Sequence, residues 1–205
     1  DFYYDIVCPY AYLGSTQIQA IADRCGASVS YKPILLGGVL QSVGSPTVPM
    51  NAMPPSKARH NLLDMQRWAD LWSVPFKFPN GHPRRSVHCM RTIIASADAG
   101  VEVMHALYKA YWVDELDVAK PEVITQVLAS ADLNPEWSAQ ATQQNIKDEL
   151  REKTAEAVTE LQGMQRRLSL QLSALPTFTL WPPFQAAGRP WTLGSAPRMP
   201  PERVT

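Results

Sequence analysis

The sequence has little of what several functional classes require. Its 19 basic residues are matched by 19 acidic ones. No global field therefore draws it to nucleic acid or an anionic membrane, and either partner would need a local patch. No apolar run approaches the roughly 20 residues that span a bilayer. The opening DFYYDIVCPYAYLG has no basic n-region and no clean apolar stretch, so it does not read as a signal peptide. Cysteine is scarce: Cys8, Cys25 and Cys89 cannot all pair within one chain, and their spacing is neither a disulfide framework nor a zinc set. The expectation is a soluble cytoplasmic protein in a reducing compartment, without nucleic-acid or membrane partners. His60, His82, His88 and His105 lack a metal spacing such as His-Glu-x-x-His, so no metal is expected. No Gly-rich phosphate loop and no Ser-His-Asp arrangement is visible.

What is present fits one α/β domain, or a domain carrying a large insertion: 205 residues, 45% of them apolar. Phe2 to Val7 is aromatic and β-branched and predicts a buried strand, ended by Cys8-Pro9. A helical pattern through Leu13, Ile18, Ala20, Ile21 and Ala22 follows and closes at Gly26, a plausible C-cap. Val29 to Leu36 predicts a second strand, completing a βαβ-sized unit. Residues 37–55 show no usable period and read as a long ordered loop. Helices are predicted from Ser56 to just before Pro75, and over 86–99, 101–113, 121–131 and about 135–168. Pro121 sits at a first helical turn, and Asn134-Pro135-Glu136 is a helix-start signal. A short strand is predicted from Thr177 to Trp181. Beyond it the chain resists assignment, with seven of the 18 prolines lying after residue 175.

Two features carry chemistry. Cys8 stands at a strand-to-helix junction, where the helix's unpaired N–H groups and positive end favour thiolate over thiol. The same position also suits a buried, inert cysteine. Ala11, three residues on, excludes a Cys-x-x-Cys pair. Leu175-Pro176, entering a strand, is either a cis-proline loop that frees backbone groups for a peptide-like ligand or an ordinary trans proline at a strand edge. Tyr10 either flanks the pocket or braces the helices. Arg84 and Arg85 either receive a carboxylate or form a solvated basic turn. Trp68, Trp72, Trp112 and Met65 read as helical core rather than as a substrate wall.

The order of these features has a family resemblance. DFYYDIVCPYAYLGSTQIQAIADRCGASVSYKPILLGGVL resembles the start of the 2-hydroxychromene-2-carboxylate isomerases and kappa-class glutathione transferases. SKARHNLLDMQRWADLWSVPFKFP is similar to their insertion-domain signature, with Lys57, Asp64, Arg67, Trp68 and Pro75 in register, and ALYKAYWVDELDVAKPEVITQVL fits the next segment. The resemblance covers about residues 2–160. It implies a thioredoxin-like, DsbA-like domain from residues 1–40 and 170–205, with an all-helical insertion at 41–169. It also implies glutathione as cofactor, a small aromatic carboxylate as substrate, and a homodimer.

By the same resemblance Cys8 is the catalytic residue, standing where the family usually has a serine. Asn51, Leu175 and Pro176 would contact the cofactor, and Tyr10, Arg84 and Arg85 the substrate. The tail departs from the pattern: no Asp-Arg follows Pro176. The activity implied is glutathione-dependent cis-trans isomerisation. A monothiol DsbA-like oxidoreductase or kappa-type transferase using Cys8, and a non-catalytic glutathione-binding module, are the alternatives.

Overall fold

The computed structural model describes residues 1–174, with side chains through residue 163. Two short strands, β1 (Phe2–Tyr4) and β2 (Tyr31–Pro33), pair in parallel with Phe2 opposite Tyr31 and Tyr4 opposite Pro33. Between them lie α1 (Pro9–Ser15) and α2 (Ile18–Cys25). After β2 come α3 (Leu36–Ser42), α4 (Pro55–Leu71), α5 (Val87–Ala95), α6 (Gly100–Trp112), α7 (Pro121–Ser130), α8 (Glu136–Gln140) and α9 (Gln144–Ala174). The architecture is a helix-rich α/β thioredoxin-like fold with a small parallel sheet.

The local reasons are legible. Gly26 takes φ 64°, the left-handed conformation that ends α2 as a glycine C-cap should. Pro121 opens α7, and the Asn134 side chain accepts the Glu136 N–H at 3.0 Å to start α8. Four expectations are corrected. The first strand stops at Tyr4 rather than Val7, because the Asp5 carboxylate takes the Val7 N–H and bends the chain into a turn. The helix after Cys8 breaks at Thr16-Gln17, where the Thr16 hydroxyl donates back to the Leu13 carbonyl. The segment 86–99 ends its α-helix at Ala95; Ser96 donates to the Ile93 carbonyl and Ala97 turns to φ 48°. The segment 135–168 is two helices, parted by a turn at Ala141–Gln143.

The supposed loop 37–55 also contains structure, namely α3 and a 3-10 turn at Pro49–Ala52. α3 is held by tertiary bonds. The Asp5 carboxylate accepts the Leu36 N–H at 2.8 Å and the Thr154 hydroxyl accepts the Leu35 N–H at 3.1 Å. The strand expected at Thr177–Trp181 lies outside the described residues.

One large core cluster joins Tyr4, Ile6, Tyr12 and Leu13 to Met65, Met90, Leu107, Tyr108, Trp112, Ile124 and Leu150. At its centre Trp112 is fully buried, stacks on Tyr12 and Phe76, and donates its indole N–H to the Ile6 carbonyl at 2.9 Å. A smaller cluster of Ile34, Val39 and Ala157 packs α9 against β2 and α3, beside a Lys32–Glu156 ion pair. Helices thus reach under the β1–α1 junction and fix where it points.

Candidate active site

Tyr4 ends β1, and the next four residues turn into α1. The Cys8 N–H donates to the Asp5 carbonyl at 3.0 Å, and the Cys8 carbonyl accepts the Tyr12 N–H. Cys8 is the N-cap of α1 in an extended conformation, with Pro9 in the first turn. Beneath it Asp5 is buried. Its carboxylate accepts from the Val7 and Leu36 N–H groups and the Ser86 hydroxyl, clamping the ends of β1, α3 and α5 together. Burial still pushes the Asp5 carboxyl up, against those bonds.

At Cys8 burial opposes the thiolate. Its thiol is half-buried, and that desolvation pushes it up. The Ala11 and Tyr10 N–H groups pull it down, and Asp5 adds a further push upward. Seven residues make a short helix, and no side-chain cap bond forms at Cys8, so the helix terminus loses to burial.

Cys8 lines a cavity of about 460 Å³. One wall is apolar, from Leu35, Leu36, Leu40, Val48, Met50, Met53 and Met65; the other carries His82, Arg84, Arg85 and Ser86. Tyr10 also lines it and braces α4, its hydroxyl donating to Asp64 at 3.0 Å. Burial and that bond push the Tyr10 phenol up to about 12. Arg84 and Arg85 part company. Arg84 pairs with Asp117 at 3.1 Å and donates to the Asn80 carbonyl, whereas Arg85 is exposed and has no ion pair among the described residues.

Asn51 is exposed and is not among the lining residues, although Met50 and Met53 on either side of it are. Leu175 and Pro176 lie outside the described residues. Of the tryptophans and Met65, Trp112 and Met65 are core, Met65 lines the cavity as well, and Trp68 is 39% exposed against Trp72. Sequence reasoning missed Asp5 and His82. An acid inside a buried strand was the available signal for Asp5. His82, joined to Pro83 by a cis peptide bond, meets the Tyr111 hydroxyl at 2.9 Å, and burial lowers it to about 4. Among the described residues no group of three His, Cys, Asp or Glu side chains could hold a metal ion. No helix among them is long and apolar enough to cross a membrane.

A thiol at the end of the first strand, capping the following helix and facing a cavity, defines a thioredoxin-fold class of protein. The model of the DSBA-like thioredoxin domain matches residues 1–161, and the chain belongs to that family. It is 32% identical over 115 residues to a 2-hydroxychromene-2-carboxylate isomerase of Pseudomonas sp. (strain C18), covering 56% of this chain and 53% of the relative. It is 23% identical over 168 residues to glutathione S-transferase kappa 2 of Caenorhabditis elegans, covering 77% and 74%. The chain spans a little over half the length of the curated isomerases it matches.

Among solved structures, a 2-hydroxychromene-2-carboxylate isomerase superposes with TM-score 0.63 at 18% identity, over 86% of this chain and 98% of the other. The cytosolic disulfide reductase DsbM from Pseudomonas aeruginosa superposes with TM-score 0.52 at 18% identity, over 85% and 80%. The relatives are enzymes of isomerase, transferase and disulfide-reductase kinds, and one of the DsbM structures was solved with glutathione.

Proposed function

We propose that the chain is a glutathione-dependent isomerase of the 2-hydroxychromene-2-carboxylate type, acting on a small aromatic carboxylate. The observation that carries this reading is geometric: Cys8 caps α1 and lines a largely apolar cavity of about 460 Å³, where burial pushes its thiol up. A protonated thiol donates a weak S–H hydrogen bond, as a serine hydroxyl would. The names of the relatives point the same way.

The donor set fits glutathione. The Tyr10 and Ala11 N–H groups face the Cys8 sulfur, and Arg85 offers an unpaired cation at the same cavity. When bound, glutathione supplies a thiolate able to add reversibly to a conjugated ring. Cys8 would donate its S–H to that sulfur, and the end of α1 would add the field of its N–H groups. The methionine and leucine wall excludes water and accepts a planar ring. Arg85, with Arg84 behind it, balances the substrate carboxylate. The neutral His82 adds no charge to that wall.

The test is turnover of 2-hydroxychromene-2-carboxylate with glutathione, followed by absorbance, in the wild type, Cys8→Ser and Cys8→Ala. Wild type and Cys8→Ser are expected to isomerise, and Cys8→Ala to lose about 10²-fold or more in kcat, the scale of losing an oxyanion-type donor. Full activity in Cys8→Ala removes Cys8 from the mechanism, and absence of turnover in every form overturns the isomerase reading. A redox reading has one observation in its favour, the fold shared with DsbM. It predicts a Cys8–glutathione mixed disulfide detectable by mass and turnover of a disulfide substrate.

A further inference from the structure

A second, smaller cleft of about 210 Å³ is lined by Arg85, Val87, His88, Arg91, Ala119 and Pro121. Its composition is unusual: two guanidinium groups and a histidine, with no carboxylate in the lining. Asp117 is engaged by Arg84 and Lys120, and Asp148 by Arg151. Neither Arg85 nor Arg91 has an ion pair or side-chain hydrogen bond among the described residues. The Nε atom of Arg91 is buried with no hydrogen-bond partner among the described residues. A buried donor left unmade costs free energy, so it calls for an acceptor that the described residues do not provide. The charge is uncompensated as well: burial first, then the positive charges of Arg151 and Arg85, lower the Arg91 pKa.

His88 adds no charge to the cleft, since its ring is held neutral. Its Nε2 meets the Ser138 hydroxyl at 3.1 Å, and burial lowers its pKa. Arg85 and Val87 line both this cleft and the large cavity beside Cys8, so the two adjoin at these side chains.

We propose that Arg85 and Arg91 form an oxyanion subsite that grips the anionic group of a ligand whose apolar body lies in the large cavity. This rests on the reading above only in taking that cavity as the substrate site. The guanidinium forks suit either a carboxylate or a phosphate. Arg91 thereby becomes a binding residue, and Arg84, already neutralised by Asp117, a supporting one.

The experiment needs neither glutathione nor turnover. Benzoate and phenyl phosphate are titrated separately into the protein, while the ¹H–¹⁵N signals of the arginine Nε–H groups are followed. Saturable movement of the Arg91 signal is expected with at least one of them, and the tighter probe identifies the oxyanion. Arg85→Gln and Arg91→Gln should each weaken binding about tenfold or more, the scale of a lost charge-assisted hydrogen bond. Arg24→Gln, on α2 and outside both cavities, should leave it unchanged. A motionless Arg91 signal with both probes, or equal weakening by Arg24→Gln, overturns the proposal. The wild-type titration decides even if a variant folds poorly. Loss of the isomerase reading with benzoate binding intact would leave the subsite standing, and the reverse result would remove only the subsite.

Discussion

Cys8 lies between two opposing influences, and their balance decides its chemistry. The N–H groups of Ala11 and Tyr10 favour the thiolate, and burial in an apolar wall together with Asp5 favours the thiol. Because the net direction is upward, alkylation of Cys8 by iodoacetamide should reach its half-maximal rate above the ordinary thiol value of about 8.5. A plateau already complete at neutral pH would contradict this and favour the redox alternative. His82 shows the opposite shift. Its folded-state pKa of about 4 lies below the ordinary imidazole value, so the unfolded chain binds the proton first as pH falls. His82 therefore contributes stability that is present above about pH 6.5 and is lost as pH falls towards 4. An NMR titration should place its midpoint well under 6.5, and a normal midpoint would mean that the ring is more solvated than its contacts with Phe78, Tyr111 and Trp112 imply.

At the scale of elements, α3 shows where tertiary bonds override local pattern. Leu-Gly-Gly-Val-Leu-Gln-Ser carries two glycines and little periodicity, so the sequence alone reads as loop. The helix forms because Asp5 and Thr154 receive the N–H groups at its start, and because Val39 is buried against Ile34 and Ala157. Thr154→Ala removes the acceptor of the Leu35 N–H, and thermal unfolding should show a loss of about 1–2 kcal/mol. No measurable change would place that N–H in water instead.

By contrast α4, α6 and α7 were legible, since their apolar spacing, Pro121 and the stop before Pro75 are all local signals. Cys8 was legible for the same reason, as a strand-ending thiol before a proline. Its burial, the occupation of Arg84 by Asp117, and the meeting of Arg85 with Arg91 were not. Each depends on side chains brought together from distant parts of the chain.

Across the whole molecule, Trp112 couples the helical body to the candidate site. It is the largest of the fully buried side chains among the described residues, and its ring meets Tyr12, Phe76, Phe78, His82 and Tyr111. Its indole N–H holds the Ile6 carbonyl, two residues before Cys8, while the Tyr108 hydroxyl donates to the Asp5 carbonyl at 3.4 Å. The turn that aims the thiol is thus fixed from α6, more than a hundred residues along the chain. Two substitutions separate packing from this bond. Trp112→Phe keeps an aromatic ring but leaves the Ile6 carbonyl without its donor, and should cost about 1–3 kcal/mol. Trp112→Ala also opens a cavity and should cost about 3–5 kcal/mol.

For a chain of this length the larger loss corresponds to a fall in melting temperature of about 6 °C or more. The decisive comparison is the Cys8 alkylation rate in the still-folded Trp112→Phe protein. If the Ile6 bond positions the turn, that rate changes while the far-ultraviolet circular dichroism does not. An unchanged rate would show that the Ile6 bond does not aim the thiol, and that the turn is held by Asp5 and the Tyr108 hydroxyl instead.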